Sequence, residues 1–214
     1  MKRWQVFAIC GGMVAVGAYI YYSRALRLKG SPQASIAAGG VGAPLVPMKW
    51  QMVSRPDEGF RLEMPADPRD AQVPAFNDTG GSEPVKMLFS SPDGGDTTFA
   101  ITWSDNPPVA RANHGQPEQT LDQARDGMLA RTQTTLVNET REMAGGYPAC
   151  DIRAKNDGGG LLYARLIYMD DRLYTLMALF PSAGARREQD VLHFYNSFTP
   201  TGTGTGLPRA GPKG

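Results

Sequence analysis

From Lys49 onward apolar and polar positions alternate in short runs, punctuated by Gly and Pro. "KWQMVS" leads into a Pro-Asp-Glu-Gly turn at Pro56–Gly59 and then "FRLEM". There Phe60, Leu62 and Met64 point one way, the period-two mark of a half-buried strand. Pro65 and Pro68 cannot donate to a sheet ladder, so the pattern predicts that this strand stops at Met64. "VKMLFS" sets Val85, Met87 and Phe89 on one face. After the turn "SPDGGD", "TFAITWS" does the same with Phe99, Ile101 and Trp103. These runs predict a meander with one face on a core and the other more polar. Pro107-Pro108 and Pro181 repeat the strand-ending device.

The period then changes. Gln116–Leu129 carries Leu121, Ala124, Met128 and Leu129 at helical spacing, and Thr120 with Gln123 three residues later matches a capping box. "TLVNETREM", "YPACDIRA", "LLYARLIYM" and "RLYTLMALF" return to strand character. The last two are apolar on both faces, which places them at a sheet centre, joined by a tight turn at Asp170-Asp171. "ARREQDVLHFYNSF" closes with Val191, Phe194, Tyr195 and Phe198 on one helical stripe. Strands, helix, strands, helix predict an α+β fold, an antiparallel sheet covered by helices, over residues 48–198.

Ahead of that domain the pattern has no period. After Lys2 and Arg3 there is no charge from Trp4 to Tyr22. At about 1.5 Å per residue such a helix crosses about 30 Å of hydrocarbon. Residues 1–29 are therefore expected to form one transmembrane anchor, with Phe7, Ile9, Val14, Val16 and Ile20 facing lipid. Trp4 at one end and Tyr19, Tyr21 and Tyr22 at the other read as interfacial belts. Gly11, Gly12 and Gly17 would let a second helix approach closely. A cleaved signal peptide, with Val16-Gly17-Ala18 at the cleavage site, is the competing reading. Basic residues flank both ends, Lys2 and Arg3 against Arg24, Arg27 and Lys29. The expectation is an N-terminus inside and the domain outside. Residues 30–47 and 199–214, rich in Gly, Ala, Pro and Thr, read as a flexible linker and tail.

Charge and composition narrow the function. With 22 basic and 21 acidic side chains there is no basic field to attract nucleic acid. A hydrolytic triad needs a histidine beside a nucleophile and an acid. His114 falls in a polar loop and His193 on the last helix, neither in such a setting. Two histidines and one cysteine in the domain show no metal-ligand spacing. Cys150 reads as a packed strand residue, and Cys10 lies in too different a segment to bridge it. Asp122 and Asp126, with Arg125, read as a solvated helix face. The turns "SPDGGD" and "MDD" lack the alternating oxygens of a calcium loop, and "TGTGTG" has no strand before it or helix after it to cradle phosphate. No catalytic, cofactor or metal residue is expected. Tyr163, Tyr168, Tyr174, Phe180, Phe194 and Tyr195 read as sheet–helix core, with a small apolar pocket for a lipid or pigment as the alternative.

Several pieces recur in a familiar order. They are Gly59-Phe60 before the Met64-Pro65 stop, the helix "LDQARDGMLA", "GGYPACDIRA", Arg172-Leu173-Tyr174 after a hairpin turn, and the terminal "VLHFYNSF". Over about Trp50–Phe198 this order resembles the PsbP/Mog1-like α/β/α sandwich family, which has many bacterial members. The anchor and the glycine-rich tail depart from it. The resemblance implies a non-enzymatic accessory or scaffolding subunit, which the expected anchor would tether to a membrane. It would dock on a larger integral membrane protein complex, such as a bacterial photosynthetic reaction-centre complex. The anchor with its basic start leads to the expectation of a bacterial inner membrane, with the domain on the periplasmic side. A carrier or sensor of a small apolar ligand is the alternative.

Overall fold

The computed structural model describes residues 47–76, 82–92, 97–182 and 188–201. The expected membrane helix with its aromatic ends and glycines, most of the linker, the last four residues of "SPDGGD" and the tail beyond Thr201 lie outside the described residues. Among those described, no helix is long and apolar enough to cross a membrane.

Strand β1 (Trp50–Arg55) pairs antiparallel with β2 (Phe60–Pro65), and β10 (Thr199–Pro200) lies on the other side of β2. The remaining strands are β3 (Arg69–Phe76), β4 (Ser82–Ser90), β5 (Thr98–Asp105), β6 (Thr135–Ala144), β7 (Tyr147–Lys155), β8 (Leu161–Met169) and β9 (Arg172–Phe180). They form one antiparallel sheet in the order β3-β4-β5-β9-β8-β7-β6. Three helices accompany them: α1 (Pro108–Ala112), α2 (Pro117–Thr132) and α3 (Glu188–Ser197).

The apolar runs explain the layers. One face of the large sheet packs Val85, Met87, Ala100, Ile152 and Met177 against Leu121, Ala124 and Met128 of α2. The opposite face packs Phe99, Ile101, Tyr174 and Leu176 against Phe60, Leu62 and Met64 of β2 and Phe194 of α3. Each Val, Leu, Ile, Met or Phe among them contributes about 1.5–3 kcal/mol on removal from water. β8 and β9, apolar on both faces, sit near the middle as expected. Asp170 (φ 47°) and Asp171 (φ 61°) close their two-residue turn with both residues left-handed, which suits short polar side chains.

The structure corrects several expectations. The expected meander is split, because β1 and β2 form a separate small sheet with β10 that covers one face of the large one. β10 takes the first two residues of the expected tail. β2 runs one residue past Met64, since Pro65 still pairs with Trp50. β3 is not among the expected strands, and its Pro74 is tolerated because it lies at the sheet edge, opposite Pro84. β5 has no exposed face until Ser104, for Thr98, Ala100 and Thr102 are buried like Phe99 and Ile101. Pro107-Pro108 not only ends β5 but opens α1, with Pro at the first helical position. The capping box is not made either. α2 starts at Pro117 after Gln116, which caps no N–H with its side chain, and Thr120 falls inside the helix, buried.

Candidate docking face

Beyond its packed core, the small sheet is joined to the large one by hydrogen bonds at the Pro56–Gly59 turn. Gly59 (φ 76°) ends that turn, and its N–H donates to the Pro56 carbonyl at 3.0 Å. The preceding carbonyl, of Glu58, accepts from the Tyr174 hydroxyl at 2.7 Å and from Arg172 Nη1 at 2.5 Å. Arg172 also pairs through Nε with Asp105. On the outer side, Arg55 holds Asp70 at 2.8 Å through both carboxylate oxygens, tying β1 to β3.

This scaffold presents a corner where the chain enters the described fold at Pro47. The Trp50 ring lies 4.4 Å from the His193 ring and 5.7 Å, edge-on, from Phe99. His193 Nε2 meets Glu63 Oε2, and the Glu63 N–H donates to Ser197 Oγ at 2.9 Å, so α3 is stitched to β2. Met52 stands directly opposite Glu63 in the β1–β2 register and therefore on its face, 59% exposed. Leu192, beside His193 in α3, is 56% exposed. Large apolar side chains left in water on a pinned support are what a docking surface provides. Sequence reasoning missed Trp50, Met52, Glu63 and Leu192. The only signal was the parity of "KWQMVS", which is ambiguous until Leu62 and Met64 claim the core-facing register for Val53 and Gln51.

Elsewhere charges serve the frame. Asp122, Arg125 and Asp126 were expected to form a solvated face, but Arg125 reaches from α2 to Glu139 of β6 at 2.6 Å. Arg141 adds a 2.7 Å bond to Glu139 and a contact with Asp122. Burial pushes the Glu139 carboxyl up, yet the hydrogen bonds from Arg125 and Arg141 outweigh it and hold it below the usual value. Arg165 grips Asp151 at 2.7 Å through two nitrogens, holds Glu142 at 2.5 Å and lies 4.7 Å over the Tyr195 ring.

The remaining chemical candidates resolve into structural roles. Cys150 is a free thiol, fully buried, and burial pushes its pKa up to about 12, so the reactive thiolate is suppressed. His114 is exposed in a left-handed turn before α2. The "MDD" carboxylates close their own neighbourhood, Asp171 accepting from Tyr168 at 2.8 Å and Asp170 from Tyr147 at 3.4 Å. Among the described residues no three His, Cys, Asp or Glu side chains gather where they could hold a metal. The aromatic group divides. Tyr168 belongs to the α2 side, whereas Tyr163, Tyr174, Phe180, Phe194 and Tyr195 belong to the other, where Phe99 touches Phe180 and Phe194 edge-on at 6.2 and 5.5 Å.

This arrangement of layers can be compared with known proteins. The solution structure of cyanobacterial PsbP (CyanoP) from Synechocystis superposes with a TM-score of 0.51 at 15% identity, covering 77% of this chain and 97% of that one. The fold is PsbP-like. It is an α+β fold of antiparallel sheets with a few helices, as the sequence resemblance implied. A protein of unknown function from Pseudomonas aeruginosa aligns over 75% of this chain and 97% of its own, also at 15% identity, with a TM-score of 0.36. No family model and no curated protein matches the chain.

Proposed function

We propose that this protein is a non-enzymatic accessory subunit. An apolar N-terminal helix holds it to a bacterial inner membrane, and the PsbP-like domain docks, from the periplasmic side, on a larger membrane protein complex of the photosynthetic reaction-centre kind. The observation that carries this reading is the likeness to CyanoP across nearly its whole length. The corner formed by Trp50, Met52, His193 and Leu192 supports it, since it combines exposed apolar side chains with a rigid base and lies where the linker joins the domain. An 18-residue linker over 30–47 would let the domain range about 20–25 Å from its anchor, enough to reach a neighbour yet not to leave the surface.

The test is purification of the full chain from native membranes in mild detergent. Co-migration with a larger complex, lost when residues 1–29 are deleted and weakened by Met52→Asp or Leu192→Asp, is the expected result. Recovery only as a free monomer, or a mature N-terminus beyond residue 20 in the aqueous fraction, would overturn it.

A further inference from the structure

The two free edges of the seven-stranded sheet differ in kind. At one end β3 is blunted, with Pro74 in the strand and Pro84 opposite. At the other end β6 runs ten residues, "TLVNETREMA", without proline, and no described strand pairs with its outer side. It also carries three of the five large apolar side chains exposed among the described residues: Leu136 at 39%, Val137 at 49% and Met143 at 63%.

A bulge gives this edge a symmetry that the sequence hides. Leu136 pairs with Ala154 and Asn138 with Arg153, so Val137 is an extra residue without a partner in β7. Without the bulge, Leu136 and Met143 would point to opposite faces, because an odd number of positions separates them. With it, their partners are Ala154 and Pro148, an even number of positions apart on β7, and both side chains lie on the face that α2 covers. Glu139, opposite Ile152, and Arg141, opposite Cys150, share that face. Counted in ladder steps, Thr140 is then three steps from Leu136 and three from Met143.

We infer that β6 is a homodimer edge, pairing antiparallel with β6 of a second copy about a two-fold axis at Thr140. In that register Leu136 faces the second copy's Met143 and Glu139 faces its Arg141, each pair occurring twice. Apolar meets apolar and acid meets base with no like-charged pair opposed on that face. On the other face Asn138 faces Glu142, and the two Thr140 side chains meet at the axis. The pairing is isologous, so it closes at two copies and satisfies the outer N–H and C=O groups of β6. α2 packs over β7 and β8, set back from the edge, which leaves room for the second copy. This inference is independent of what the domain docks on.

The test uses the full chain in neutral detergent, in a Cys10→Ser background so that the buried Cys150 is the only other thiol. Thr140→Cys sets two thiols across an antiparallel pair, where the Cα atoms lie about 4.5–5.5 Å apart, within disulfide reach. Mild oxidation is expected to give a covalent dimer. Asp157→Cys, in the exposed β7–β8 turn, serves as the control and should stay monomeric. Adding Leu136→Lys and Met143→Lys to Thr140→Cys should lower dimer yield at least about tenfold, because both apolar pairs are removed together. Near-ultraviolet circular dichroism checks that these exposed substitutions leave the fold intact. No dimer from Thr140→Cys overturns the inference, as does a yield matched by Asp157→Cys or unaffected by the lysines.

Discussion

Replacing Gly59 by Ala strikes the turn whose Glu58 carbonyl ties the small sheet to Arg172 and Tyr174 of the large one. A Cβ at residue 59 would lie 2.9 Å from Arg172 Nη1 and 2.9 Å from the Tyr174 hydroxyl, the two donors to the Glu58 carbonyl. At φ 76° an L residue also carries about 1–2 kcal/mol of left-handed strain. Displacing the donors from a partly buried carbonyl adds about 1–3 kcal/mol. The sum is roughly 2–5 kcal/mol, or about 4–20 °C in melting temperature for a domain of this size. Gly146→Ala supplies the comparison. Its φ is 91°, yet a Cβ there meets nothing within 4 Å, so only the strain of about 1–2 kcal/mol should appear. Urea titration followed by tryptophan fluorescence reads both. Tyr174→Phe deletes one of the colliding atoms, so the Gly59→Ala cost should be smaller in that background, a non-additivity that a double-mutant cycle measures. Equal costs at residues 59 and 146, with strict additivity against Tyr174→Phe, would refute the reasoning.

Stability should also fall in alkali. Burial raises Cys150 from 9.0 to about 12, Tyr168 rises from 10.0 to about 12, and Tyr174 and Tyr195 are raised as well, again by burial first. The folded state therefore keeps protons that the unfolded chain releases. The stabilisation is full below about pH 9 and is lost as pH climbs toward 12, and Cys150→Ala should flatten the steepest part in urea melts. In the native state Cys150 should resist alkylation at pH 8 and react only after unfolding, as mass spectrometry would report. A cycle over Arg125→Ala and Glu139→Ala should return a coupling of about 1 kcal/mol, since both side chains are about four-fifths buried (18% and 19% exposed) and hydrogen-bonded. Met52→Asp should weaken association with the proposed membrane partner while leaving the unfolding free energy from urea titration within about 0.5 kcal/mol of wild type, because the residue projects into water.

Much of the frame is local in origin and could be read in advance. Phe60, Leu62 and Met64 alternate and are wholly buried, as alternation demands. Leu121, Ala124 and Met128 recur at helical spacing and lie against the sheet. Asp170-Asp171 between two apolar runs announces a two-residue hairpin, and the φ values bear it out. The surfaces of the proposed docking corner and the charged frame were less legible. Met52 faces water because β2 takes the core-facing register, a decision made across a strand pair. Glu139 answers Arg125 across 14 positions, and Trp50 meets His193 across more than a hundred, so no window of sequence holds both partners.

The amino-acid sequence by itself determined most of the strands, the two longer helices and the apolar residues they bury, because the period of apolar residues acts within a few positions of the chain. Tertiary structure alone decided that β1 and β2 would leave the large sheet, that a proline-bearing segment would serve as its edge, and that a bulge at Val137 would bring Leu136 and Met143 to one face. Those outcomes depend on which strands compete for the same hydrogen-bonding partners. That competition is settled by the packing of the whole core, not by local preference.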